Sequence, residues 1–177
     1  MKKLALALIF CGASAFAATV TYTTTGTFSN SLSTISAGGV TITYTPVTVA
    51  DTVTAPSFAN VGSFTVSGAG SNTFSDSFTL TILQSAPPGG SSSTVSTVSG
   101  LLTGTSSGIA LSFTPANFNI GAANWQMFNT PLSPPSTNGG VTTIEAYVTV
   151  SPEPSSLALL GSSLVGLGLL ARRRLAK

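Results

Sequence analysis

Between residues 19 and 150, apolar residues alternate with Thr and Ser, the period-two pattern of half-buried β-strands. Thr19-Val20-Thr21-Tyr22 opens a run that reaches Phe28, and Asn30 and Ser31 turn it. Gly38-Gly39 leads into a second run in which Val40, Ile42 and Tyr44 share one face. Pro46 interrupts it, with Val47 and Val49 expected to continue the same sheet beyond. Asp51 to Pro56 reads as a connector. Phe64 and Val66 mark a third strand, closed by Gly68-Ala69-Gly70, and Phe74, Phe78, Leu80 and Ile82 a fourth. Asp76 shares the parity of those apolar residues, so the fourth strand is expected to start after it or to bulge around it. The third and fourth strands read as a hairpin or near neighbours. Ala86-Pro87-Pro88-Gly89-Gly90-Ser91-Ser92-Ser93 reads as a long loop between two sheets.

Val95, Val98, Leu101 and Leu102 give a fifth, irregular strand, and Ile109, Leu111 and Phe113 a sixth that Pro115 stops. From Ala116 to Gly140 the large residues Phe118, Ile120, Trp125, Met127 and Phe128 lose strict period, and Pro131, Pro134 and Pro135 forbid a long helix. In the last strand, Val141 to Val150, residues Ile144, Ala146, Val148 and Val150 face one way, and Thr143, Glu145, Tyr147 and Thr149 the other. Seven or so strands without an amphipathic helix predict an all-β chain, a single antiparallel β-sandwich over residues 18–150.

The ends follow other patterns. Lys2 and Lys3, the apolar Leu4–Phe10 and the small-x-small Ala15-Phe16-Ala17 make residues 1–17 a secretory signal peptide cut before Ala18. Its partners would be the secretion machinery and signal peptidase. A lipoprotein signal at Cys11 is the rival, discounted because bulky Phe10 precedes that Cys. Cys11 would leave with the signal, so the mature chain can form no disulfide. At the other end, residues 151–177, Pro152-Glu153-Pro154 precedes the apolar run Leu157–Ala171, and Arg172, Arg173 and Arg174 follow without a gap. The prolines delay a helix, and Ser155 or Ser156 can cap it. A transmembrane helix over about 155–171 would span roughly 25 Å, slightly short of a hydrocarbon core, a gap that snorkelling arginines close. The arginines hold the cytoplasmic side, leaving the body outside the inner membrane.

Charge then narrows the function classes. Between Ala18 and Ser151 there is no Lys, Arg or His, and only Asp51, Asp76 and Glu145 are charged. No basic footprint exists there for nucleic acid. Serines have no His or Lys in the body to activate them, and nothing supplies a structural zinc site. No cofactor or metal is expected; Asp51 as a lone calcium ligand is weaker than Asp51 as a turn residue. A small hydrolase pairing Asp76 with Glu145 is a remote alternative to a non-enzymatic protein. Asn124-Trp125-Gln126 is a candidate glycan contact, an aromatic face flanked by amides. The competing reading of Trp125, as a core plug with a bonded indole N–H, is the favoured one.

The order of the tail resembles that of the PEP-CTERM family of bacterial surface proteins, which end in Pro-Glu-Pro, a Gly- and Leu-rich transmembrane helix and an Arg cluster. The resemblance implies that Pro152, Glu153 and Pro154 form a sorting motif and that Arg172–Arg174 form the membrane-stop cluster. It also implies an exosortase-like processing enzyme as partner, and a destination at the cell surface or in an extracellular polysaccharide matrix. It leaves the body unassigned. For the body the expectation is a structural surface protein, with a carbohydrate-binding module centred on Trp125 as the alternative.

Overall fold

The computed structural model describes residues 18–151, 161–168 and 172. The signal segment with Ala15 and Ala17, the Pro152-Glu153-Pro154 motif, and Arg173 and Arg174 lie outside the described residues. Ala18 opens the first strand.

Twelve strands form two antiparallel six-stranded sheets packed as a sandwich. In chain order they are β1 (Ala18–Phe28), β2 (Thr34–Ala37), β3 (Val40–Thr45), β4 (Asp51–Ala55), β5 (Ser57–Ser67) and β6 (Ser71–Ala86). Then come β7 (Gly90–Thr103), β8 (Ala110–Thr114), β9 (Asn117–Ile120), β10 (Ala123–Met127), β11 (Thr130–Pro131) and β12 (Val141–Val150). The first sheet runs β11-β8-β7-β6-β1-β4 and the second β2-β3-β5-β12-β10-β9. Burial alternates along the strands as the sequence implies; in β12, Ile144, Ala146 and Val148 are buried while Thr143 and Glu145 are exposed. The expected alternation was therefore legible, but the strand count was too low.

Several connections differ from expectation. Asp51–Ala55 is not a connector: Val53 and Ala55 alternate with Thr, and the segment pairs with β1 from Tyr22↔Asp51 to Ala18↔Ala55. The chain changes sheets at Pro56, a corner between β4 and β5. Val47 and Val49 do not extend the sheet of β3. The Val47 backbone makes two hydrogen bonds of 2.9 Å with Thr24 of β1 in the opposite sheet, its carbonyl accepting from the Thr24 N–H and its N–H donating to Thr24 Oγ1, and Val49 is exposed. The third and fourth sequence runs are no hairpin either, because β5 and β6 belong to different sheets. Residues 86–93 are no long loop between sheets but hold a tight turn within one sheet, since β6 pairs with β7 from Gln84↔Gly90 to Ser71↔Thr103. Pro87-Pro88-Gly89 closes that hairpin, and the serines already belong to β7. Asp76 neither precedes its strand nor sits on a bulge. It lies in register opposite Val98, half-buried, where the pairing of β6 with β1 has already ended at Phe28↔Phe78. There it lines a cavity together with Asn30, Ile35 and Asn72, which leaves the inward-parity carboxylate half-buried although Phe74, further along the same face, is buried.

Two aromatic groups fill the core. Phe28 and Phe78 of the first sheet meet Tyr44 and Phe64 of the second, with ring centroids 4.8–6.1 Å apart. Gly26 leaves the room they need, since a Cβ there would strike Phe78 and Tyr44. Nearer the other end Tyr22 meets Trp125 edge-on at 5.1 Å.

Three polar pegs cross between the sheets. The Tyr22 hydroxyl donates to the Asn60 carbonyl at 2.6 Å, with Asp51 Oδ2 at 3.1 Å. The Tyr44 hydroxyl donates to the Val61 carbonyl at 2.6 Å and lies 3.0 Å from Thr24 Oγ1. The third peg joins Trp125 to Gln84. Among the described residues no buried side-chain polar atom lacks a partner, as a sandwich without disulfides requires of its interior.

Candidate functional site

The tail leaves the body from β12, an interior strand of the second sheet flanked by β5 and β10. The Ser151 N–H donates to the Ala122 carbonyl in the β9–β10 turn at 3.0 Å, so the fold holds the chain up to the residue before the Pro-Glu-Pro motif. The start of the body lies at the same end. Ala18 pairs with Ala55, Pro56 makes the corner, and Ser57 pairs with Val148, two residues before the end of β12. Ala18 and Ser151 thus leave the sandwich together, beside the turns at residues 87–89 and 121–122.

Residues 161–168 are helical and exposed, including Leu164, Val165 and Leu167 at 61–64%. Arg172 is helical and exposed as well. No helix among the described residues is long and apolar enough to cross a membrane; the rest of the expected 155–171 span lies outside them.

Trp125 is fully buried on β10. Its indole N–H donates to Gln84 Oε1 at 3.1 Å, and the Gln84 amide donates to the carbonyls of Pro87 at 2.9 Å and Ile120 at 3.2 Å. Gln84 thereby satisfies Trp125 across the interlayer and ties the two turns at the tail end together. A ring with no exposed face cannot stack a sugar, so the glycan reading centred on Trp125 gives way to the core plug. Its neighbours do face outward: Asn124 is half-buried and donates to Asn119 Oδ1 at 2.8 Å, and Gln126 is exposed.

Asp76 and Glu145 do not meet. Asp76 lies on β6 of the first sheet, its Oδ1 accepting from the Ser77 N–H at 2.7 Å. Glu145 lies on the outer face of the second sheet, opposite Asn60. A cavity of about 280 Å³ at the end remote from the tail is lined by Asn30, Ile35, Asn72 and Asp76 among others, and Asp76 is its sole carboxylate. A second, of about 550 Å³, is lined by Gly68–Ser71, Thr103–Thr105 and Pro135, none of them titratable. Asp51 keeps a turn-like role at the start of β4, capping the Thr52 N–H at 2.8 Å. No group of three or more potential metal ligands occurs among the described residues. Burial first, then the charge and hydrogen bond of Asp51, hold the Tyr22 phenol well above its ordinary value.

An outward aromatic cluster was not anticipated. Phe58 of β5 is 57% exposed and lies 5.2 Å from Tyr147 and 5.8 Å from Phe128. The available signal was Tyr147, a large ring on the wet parity of the last strand; Phe58 lies between the expected connector, which ended at Pro56, and the third strand marked by Phe64 and Val66.

Comparison with known proteins adds one match. Residues 152–174 match the family model of the PEP-CTERM protein-sorting motif. Neither the curated proteins nor the solved structures yield a match to the chain. The matched segment begins one residue after the Ser151 contact that ends the folded body. The chain therefore carries a PEP-CTERM protein-sorting tail.

Proposed function

We propose that this is an exported, non-enzymatic protein of the cell surface or extracellular matrix, delivered through its sorting tail. The single observation that carries this reading is the match of residues 152–174 to the sorting motif. In this reading residues 1–17 direct secretion and are removed before Ala18. The helix over about 155–171 then holds the precursor in the inner membrane, with Arg172–Arg174 inside. The exposed Leu164, Val165 and Leu167 are the side chains such a span offers to lipid. An exosortase-like enzyme cuts near Pro152–Pro154 and passes the body outward. The common exit of Ala18 and Ser151 fits two cuts made at one end of a folded body.

The absence of catalysis is supported by the separation of Asp76 from Glu145 and by serines without a His or Lys in the body. Solubility of the released body rests on its Thr and Ser faces, as only three residues between Ala18 and Ser151 are charged: Asp51, Asp76 and Glu145.

The test is mass spectrometry of both termini of the protein from its own cells. The expected product begins at Ala18 and ends near Pro152–Pro154. A product that keeps its tail to Lys177 in cells with an active exosortase leaves a plain membrane anchor. An intact Met1 on a stable cytosolic product refutes export altogether.

A further inference from the structure

We propose that the outer face of the second sheet is a binding platform for neutral oligosaccharides, built on Phe58, Tyr147 and Phe128 with Gln126, Asn117 and Glu145 around them. The proposal deepens the surface-protein reading and rests on it. Strand register brings four of these residues into one row. Phe58 of β5 stands opposite Tyr147 of β12, Tyr147 opposite Gln126 of β10, and Gln126 opposite Asn117 of β9. At the usual spacing between strands the row is about 14 Å long. That exceeds one sugar ring, so a short chain of sugars fits better than a monosaccharide.

The chemistry of the row is graded. At one end Phe58 and Tyr147 lie 5.2 Å apart with Phe128 beside Phe58, and the rings offer apolar area to the C–H face of a pyranose. At the other end the exposed amides of Gln126 and Asn117 provide donors and acceptors for hydroxyls. No hydrogen bond among the described residues occupies the side chains of either amide, or those of Tyr147 and Glu145. Asn124, whose amide is already committed to Asn119, lies outside the row. Glu145, exposed two residues before Tyr147 on β12, adds a carboxylate acceptor.

Charge and area decide the occupant. The body holds no Lys, Arg or His, so an anionic glycan, a phosphate or an acidic lipid would meet only Glu145 here. The apolar part of the face is small. With Phe58 57% and Phe128 39% exposed, and Tyr147 only half-buried, the three rings offer roughly 200–300 Å². A standard protein interface needs about 800 Å² from each partner. An area of this size suits a small ligand that adds its own directed hydrogen bonds.

The experiment is isothermal titration of the full chain, held in a polyoxyethylene detergent that carries no sugar headgroup. The probes are gluco-, xylo- and chito-hexasaccharides, with an oligogalacturonate as the anionic control. Saturable binding of a neutral hexasaccharide is expected, and none of the control. Phe58→Ala and Tyr147→Ala should each weaken binding by about tenfold or more, and Thr143→Ala, on the same wet face, should leave it unchanged. Emission of buried Trp125 reports that each variant is folded. Binding by none of the neutral probes overturns the proposal, as does binding that survives both ring substitutions in folded protein. Self-association that Phe58→Ala abolishes, without saccharide binding, overturns it in favour of a second copy. The export reading is decided separately by the mature termini and does not depend on these titrations.

Discussion

Replacing Gln84 by Leu tests how the two sheets are held in register at the tail end. Gln84 is buried and joins three groups, the Trp125 indole N–H and the carbonyls of Ile120 and Pro87. Leu fills a similar volume but answers none of them. An orphaned buried donor costs about 1–3 kcal/mol, and the Ile120 carbonyl adds up to a similar amount. The Pro87 carbonyl, at the rim, can turn to water. Added apolar burial returns about 1 kcal/mol. The net expectation for Gln84→Leu is a loss of about 2–4 kcal/mol. At a urea dependence of about 2 kcal/mol per molar, the midpoint falls by about 1–2 M. Urea unfolding of the full chain in mild detergent reads this through Trp125, the sole tryptophan. Its emission should also shift in the folded variant as the indole loses its acceptor. Trp125→Phe with Gln84→Leu, followed by circular dichroism, completes a double-mutant cycle with an expected coupling of about 1 kcal/mol or more. A midpoint displaced by less than a few tenths molar, or a coupling near zero, would refute the idea that this pair secures the sheets.

Gly62→Ala should cost about 3 kcal/mol or more, because Gly62 sits at φ 126° and a Cβ there would lie 2.5 Å from the Tyr44 hydroxyl oxygen. Gly139→Ala, at φ 60° with nothing within 4 Å of its Cβ, should cost only about 1 kcal/mol in the same urea titration. Stability should also fall between pH 10 and 12. Burial pushes the Tyr44 phenol up to about 12, against the opposing hydrogen bond from Thr24. A folded pKa above the unfolded one gives stability that is whole below about pH 10 and lost as the pH rises through 12, about 2–3 kcal/mol from Tyr44. Tyr22, raised chiefly by burial, acts in the same sense. Tyr44→Phe should flatten part of that fall, and a wild-type profile level from pH 10 to 12 would contradict the assignment.

Which residues face the core was legible in the sequence, because period two reports a face directly. Val40, Ile42 and Tyr44, or Phe78, Leu80 and Ile82, needed only their own spacing. Which strands pair was not legible, since pairing depends on partners far along the chain. The Pro87-Pro88-Gly89 turn looked like part of a long loop between two sheets because its composition is a loop's, yet Gln84 and Gly90 meet across it. Asp51–Ala55 carried too few apolar residues to stand out, and gained strand structure by adding to the edge beside β1. The sorting tail was readable because its signal lies in the linear order of residues. The Phe58–Tyr147–Phe128 cluster draws on three separate stretches and exists only once β5, β10 and β12 lie side by side. Trp125 illustrates both cases: its size pointed to the core, while its partner Gln84 came from another sheet.

The exit of the tail from β12 sets how the body bears load. Any pull on an attached C-terminus is drawn along β12, which runs between β5 on one flank and β10 on the other. The ladder bonds on both flanks are then sheared together, whereas a tether on an edge such as β4 or β9 would peel its strand one bond at a time. Drag on a body attached in this way would be spread over the middle of a sheet. Tyr147 sits on the strand that would take the strain, braced by β5 on one side and β10 on the other.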